Sequence, residues 1–132
     1  MKIVLDTSAY CLCDIGNEVA LATIEEASSF YLPSIAYGEL YYGFKLGERF
    51  EKNTKRLEKF ISQFQVEIID VTTFVAKKFG DIFTSLRKKG KPIPTNDIWI
   101  AASCMEVGGM LITADSHFKE VDQIQILFIP QT

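Results

Sequence analysis

The chain has 132 residues, of which 48% are hydrophobic and 23% charged, with a formal net charge of -3. That length suits one domain with one core, and the composition is that of an ordinary folded globular protein. The acidic balance excludes a uniformly basic nucleic-acid coat, though not a local basic patch.

The opening MKIVLD meets an aspartate at position 6, too early for a secretory apolar region, so no signal peptide is expected. No apolar run approaches a membrane span. Three cysteines, Cys11, Cys13 and Cys104, have neither the even count nor the spacing of a disulfide or zinc framework. Cys11 and Cys13 are expected as small buried or half-buried residues, and the odd count points to a reducing, cytoplasmic setting.

In chain order, KIVL (2–5) is a β-branched apolar run and reads as a buried strand. EVALATIEEA (18–27) reads as a helix, with Val19, Ala22 and Ala27 as inward candidates. FYLP (30–33) reads as a second strand stopped by Pro33. A helix over 34–47 follows, with Ser34 as its N-cap and Gly47 as its stop. Residues 49–64 form an amphipathic helix: Phe50, Leu57, Phe60, Ile61 and Phe64 share one face, and Lys52, Lys55, Arg56 and Lys59 lie largely elsewhere. VEIIDV (66–71) is a third strand, and 73–90 a further helix carrying Phe74, Phe79, Ile82, Phe83 and Leu86. After the break KPIP, the segment from Asp97 to Val107 is apolar nearly all round, the mark of a buried helix, with Thr95 or Asn96 as its cap. MLIT (110–113) and IQILFI (124–129) complete five strands.

Strands alternating with helices predict an α/β three-layer sandwich: a mostly parallel five-stranded sheet flanked by helices, in a single domain over 1–132. Such sheets bind ligands outside the carboxyl ends of their strands. Asp6 follows the first strand directly, and Asp115 follows the fourth by two residues. Glu39 lies early in the helix after the second strand, and Asp97 in the first turn of the apolar helix. Taken singly, each has an ordinary structural reading. Asp97 complements a helix dipole, Asp115 makes a turn, Asp6 caps a loop, and Glu39 sits on a surface. Taken together, four carboxylates on one rim repel one another and call for a cation. Hard oxygen donors without His or Cys partners select Mg²⁺ or Mn²⁺ rather than zinc, as one or two ions, and that chemistry serves phosphate or phosphodiester hydrolysis.

LDTSAY at the start, GELYYG in the helix over 34–47, DIWIAA opening the apolar helix, and LITADSHFKEV near the end, in that order, resemble the PIN domain. More narrowly they resemble VapC-type toxin ribonucleases of toxin–antitoxin pairs. The resemblance spans the chain from Met1 to about Ile129 and implies a Mg²⁺- or Mn²⁺-dependent endoribonuclease. Asp6, Glu39, Asp97 and Asp115 match the family's four acidic positions, and Thr113 matches a polar position that supports the site. Ser8 is expected to do similar work. Asp6 and Asp97 are expected to ligate metal directly, Asp115 directly or through water, and Glu39 to complete the site or orient the attacking water. The resemblance also implies an antitoxin partner and a toxin homodimer.

Three further features carry expectations. RKKGK (87–91) leads into Asp97, so Lys88, Lys89 and Lys91 are candidates for phosphate contacts with RNA, against a solvated helix face. Tyr37, Tyr41, Tyr42 and Phe44 surround Glu39 and exceed what one packed face needs, so part of the group is expected at an antitoxin or dimer interface. His117, the only histidine, reads first as a turn residue and second as a general base. Two other functions stay open. In an aspartyl phosphatase or phosphotransferase, Asp6 would be the nucleophile, but the customary aspartate two residues on is Ser8. A catalytically silent antitoxin-binding module would not need four intact acidic positions.

Overall fold

The computed structural model describes residues 1–131, so the expected end of the domain at residue 132 lies outside the described residues. Five strands, β1 (Lys2–Leu5), β2 (Ser29–Pro33), β3 (Glu67–Ile69), β4 (Met110–Thr113) and β5 (Gln125–Phe128), form one sheet. Six helices connect them: α1 (Thr7–Asp14), α2 (Glu18–Glu26), α3 (Ser34–Leu46), α4 (Phe50–Gln63), α5 (Thr73–Lys89) and α6 (Thr95–Val107).

The strand order is β3-β2-β1-β4-β5, and every pairing is parallel. The expectation of a mostly parallel sheet is thus sharpened to a wholly parallel one. Each connection carries a helix or a turn long enough to cross over, and none is a hairpin. The chain winds outward from β1 through β2 to β3, then returns to place β4 on the other side of β1. Right-handed crossovers put α1 to α4 on one face and α5 and α6 on the other. The winding direction reverses between β1 and β4, and such a switch point opens a crevice at the strands' carboxyl ends.

The centre is dry. Ile3, Val4 and Leu5 of β1, Leu111 and Ile112 of β4, and Ile98, Ile100, Ala101, Ala102 and Cys104 of α6 are fully buried. α6 is therefore the buried helix its apolar sequence predicts. It ends at Gly108, whose φ of 69° is the left-handed cap that glycine adopts without strain. Gly109 then passes tightly against β1: a Cβ there would lie 2.9 Å from Val4 Cγ2 and 3.2 Å from the Lys2 carbonyl oxygen.

Several local expectations are corrected. α1 was not anticipated. It forms because Asp6 caps it, accepting the Ala9 N–H, and because Ala9, Tyr10, Leu12 and Cys13 are buried. A 3-10 turn over Ser116–Glu120 is likewise new. α2 buries Ala20 and Ile24, while Val19 and Ala22 face solvent. Ser34 and Thr95 are first helical residues rather than caps; Pro33 and Pro94 hold the cap positions without a side-chain bond, so neither Thr95 nor Asn96 caps α6. Prolines suit that boundary because their φ is preset and the chain enters the helix from an extended conformation. Cys13 and Cys104 are buried as expected, but Cys11 is exposed.

Candidate active site at the switch point

Asp6 is the residue after β1 and the N-cap of α1, only 3% exposed. Its Oδ1 accepts the Ser8 hydroxyl and the Ala9 N–H, both at 2.7 Å, and its Oδ2 accepts the Thr113 hydroxyl at 2.5 Å. Thr113 in turn accepts the Asp115 N–H at 2.9 Å, and Ser8 accepts the Ala114 N–H at 3.0 Å. Thr113 and Ser8 thus link the ends of β1 and β4 through hydrogen bonds to Asp6, Ala114 and Asp115.

The other two carboxylates reach the same place from helices. Asp97, in the first turn of α6, is 9% exposed. Glu39, on α3, accepts the Thr7 hydroxyl at 2.7 Å, a contact with α1 that the sequence did not suggest. Burial pushes the Asp97 carboxyl up to about 6, with the charges of Asp115 and Glu39 adding to it and the His117 hydrogen bond opposing it. Burial also raises Asp6, against the hydrogen bonds from Thr113, Ala9 and Ser8, and the charge of Asp115 raises it further. Asp97 therefore feels the charges of Asp115 and Glu39, and Asp6 that of Asp115.

His117 is the residue that sequence reasoning undervalued. Asp115 caps the 3-10 turn by accepting the His117 N–H at 2.9 Å, and the ring folds back over the carboxylates. Its Nδ1 lies 3.0 Å from Asp115 Oδ1 and 3.3 Å from Asp97 Oδ2. The only signal in the sequence was its position two residues after an aspartate, where a capped turn returns a side chain toward the cap.

The donor set fits a divalent cation. One ligand atom each from Asp97, Asp115 and His117 lies within 4.8 Å of the others. Among the described residues, no lysine or arginine pairs with Asp6, Glu39, Asp97 or Asp115. Buried, mutually repelling carboxylates without a lysine or arginine partner are the condition that a hard metal ion relieves.

The remaining predicted residues divide between this rim and other parts of the surface. Tyr42, 65% exposed, lines a groove of ≈ 560 Å³ with Ser34, Ile35, Gly38, Glu39 and Asn96, so the groove leads off the acidic rim. Tyr41 stacks edge-on against Phe50, with the Lys45 ammonium 4.2 Å over the Phe50 ring. Tyr37 and Phe44 pack against the core instead and are only partly exposed. Lys88 and Lys91 are exposed. Lys89 is committed elsewhere: its ammonium donates to the Glu120 carbonyl at 2.9 Å and pairs with Asp122 at 3.2 Å, tethering α5 to the segment before β5.

A family model described as the PIN domain matches residues 3–124. The chain belongs to the PIN domain family. Within it, the chain is 32% identical over 126 residues to Ribonuclease VapC2 of Haemophilus influenzae, covering 94% of this chain and 92% of that one. Its fold is similar to the solved structure of VapBC2 from Rickettsia felis bound to a promoter DNA fragment, with a TM-score of 0.85, 25% identity, and coverage of 96% of this chain and 98% of that one. It is similar also to the DNA-bound VapBC structure from Salmonella typhimurium, with a TM-score of 0.82, 27% identity, and coverage of 96% and 97%. In this PIN domain the acidic residues stand at the switch point that the sheet order creates.

Proposed function

We propose that this protein is a metal-dependent endoribonuclease, the toxin of a toxin–antitoxin pair, and that the whole chain is one nuclease domain working in the cytoplasm. The observation that carries the reading is the convergence of Asp6, Glu39, Asp97 and Asp115 at the β1–β4 switch point, with Ser8 and Thr113 holding two of them in place. The similarity to Ribonuclease VapC2 over nearly the whole chain supports it.

In this reading Asp6, Asp97 and Asp115 hold Mg²⁺ or Mn²⁺, as one or two ions, and Glu39 completes the site. When bound, the metal lowers the pKa of its water and neutralises charge building on the phosphodiester. The protein's part is placement. Asp6 is immobilised by three donors, and Asp97 rides on a buried helix, so the ligands cost no reorganisation when an ion arrives. Ser8, in place of the customary second aspartate, argues against Asp6 as a phosphatase nucleophile, since it donates to Asp6 instead of supplying a second carboxylate. The groove beside Tyr42 offers an exposed ring for a base of single-stranded RNA, and Lys88 and Lys91 supply phosphate contacts. Exposed Tyr41 and Tyr42, with Leu46 beyond them, form the face offered to an antitoxin or a second toxin copy.

The test is expression of the wild type and Asp97→Asn in cells, followed by mapping of RNA 5′ ends. Toxicity with defined cuts from the first and neither from the second is the expected result. Equal cutting by both sinks the assignment, and a wild type that binds metal yet cuts no RNA when free of antitoxin marks a silent binding module.

A further inference from the structure

The ring of His117 is placed where a metal ligand would be. Its Nδ1 approaches both Asp115 Oδ1 and Asp97 Oδ2, at 3.0 and 3.3 Å. Three ligand atoms within 4.8 Å of one another are close enough to share one ion at bond lengths of about 2.0–2.3 Å. The placement is built into the backbone. The turn is held by the His117 N–H on Asp115 Oδ1, so the ring and the carboxylate are presented together by one capped turn. A half-exposed ring, with 51% of its side-chain surface free, has room to swing elsewhere, yet it lies on the two carboxylates. It is also the only basic side chain on them among the described residues.

We propose that His117 is a metal ligand, and that with Asp97 and Asp115 it forms a mixed nitrogen–oxygen site that favours Mn²⁺ over Mg²⁺. The inference rests on reading the acidic rim as the metal site under Proposed function. Mg²⁺ takes oxygen donors and holds its waters, whereas an imidazole nitrogen adds affinity for first-row transition ions. A site of carboxylates alone would give Mn²⁺ a smaller advantage. The chain therefore carries, in one residue of a surface turn, a determinant of which ion it works with.

Calorimetric titration of metal-free protein carrying no polyhistidine tag, with MgCl₂ and with MnCl₂, tests this on the wild type, His117→Asn and Asp97→Asn. The second readout is the ¹⁵N spectrum of the imidazole, with ZnCl₂ as a diamagnetic probe. His117 is the only histidine, so its signals need no assignment. His117→Asn is expected to weaken Mn²⁺ by at least about tenfold and Mg²⁺ by less than about twofold, and Zn²⁺ but not Mg²⁺ is expected to shift the Nδ1 signal. Unchanged Mn²⁺ affinity, or equal weakening of both ions, overturns the proposal, as does an Nδ1 signal indifferent to Zn²⁺. Asp97→Asn separates the two levels. Loss of both metals in that variant, while His117→Asn loses neither, removes only the histidine. Wild-type affinities in Asp97→Asn remove the acidic rim as the metal site and the histidine with it.

Discussion

Thr113, the last residue of β4, donates its hydroxyl to Asp6 Oδ2 at 2.5 Å across the seam between β4 and β1. The Thr113 hydroxyl oxygen also accepts the Asp115 N–H, so one buried hydroxyl contacts two acidic residues. Thr113→Val keeps the shape and removes both bonds. It leaves a buried carboxylate oxygen without its donor, which costs about 1–3 kcal/mol. Urea unfolding should show a loss of that size. RNA cleavage should fall on the order of 10- to 100-fold, the usual penalty for removing a group that orients a ligand. Thr113→Ser should recover most of both; a valine variant with wild-type stability would show that the hydroxyl supports nothing.

Asp97 gives the metal-free protein an unusual pH dependence. Its carboxyl ionises near 6 in the folded chain, against 3.8 for the unperturbed group. Between those values the folded state holds more protons than the unfolded state, so stability falls as pH rises and the full cost is present above about 6. Asp6, raised in the same direction, adds to the trend. In EDTA the protein should melt higher at pH 5 than at pH 7.5. Asp97→Asn should be more stable than the wild type at pH 7.5 by up to about 3 kcal/mol and indistinguishable from it near pH 4. Saturating Mg²⁺ should reverse the order at pH 7.5, because only the wild type gains binding energy. Identical pH profiles for the two proteins in EDTA would count against the buried-carboxylate account.

The close passage of Gly109 against β1 predicts a purely structural defect. Gly109→Ala drives a methyl group to within 2.9 Å of Val4 Cγ2 and 3.2 Å of the Lys2 carbonyl. Overpacking of this kind costs about 1–3 kcal/mol. The seam between β1 and β4 carries the site, so thermal unfolding and metal affinity should weaken together. Gly38→Ala, where a Cβ meets nothing within 4 Å, serves as the tolerant control for stability.

Of the basic cluster, Lys88 and Lys91 are free of the ion pairs that hold Lys89. The double charge reversal Lys88→Glu with Lys91→Glu should weaken RNA binding and flatten its dependence on salt by about one phosphate contact per lysine. Lys89→Gln should leave the salt dependence alone and cost no more than about 1 kcal/mol of stability. Filter binding across a salt series distinguishes them.

The regular elements were legible where hydrophobic pattern and propensity agreed, as in KIVL, MLIT and the apolar run from Ile98. The four acidic residues were legible because each sits at a strand end or an early helical turn. α1 was not, because TSAYCLCD is short and rich in residues with weak helix propensity; burial of Tyr10 and Leu12 and the Asp6 cap make it helical. The face of α2 was misjudged because Val19 and Ala20 are adjacent apolar residues, and only the tertiary packing decides which one turns inward. Strand order is a long-range property that local pattern does not encode, so the switch point emerged only from the sheet. His117 escaped for a related reason: a single capped turn decides where its ring points, and no periodicity marks it.

The sheet order has a consequence for synthesis. β1 is made first but lies between β2 and β4, and β4 begins only at Met110. A nascent chain can pair β1 with β2 and β3, yet Asp6 still lacks the Thr113 hydroxyl, and Asp115 has not been made. The acidic rim therefore comes together only after β4 has been made and has paired with β1. A chain cut before β4 lacks Thr113 and Asp115 and cannot complete that rim.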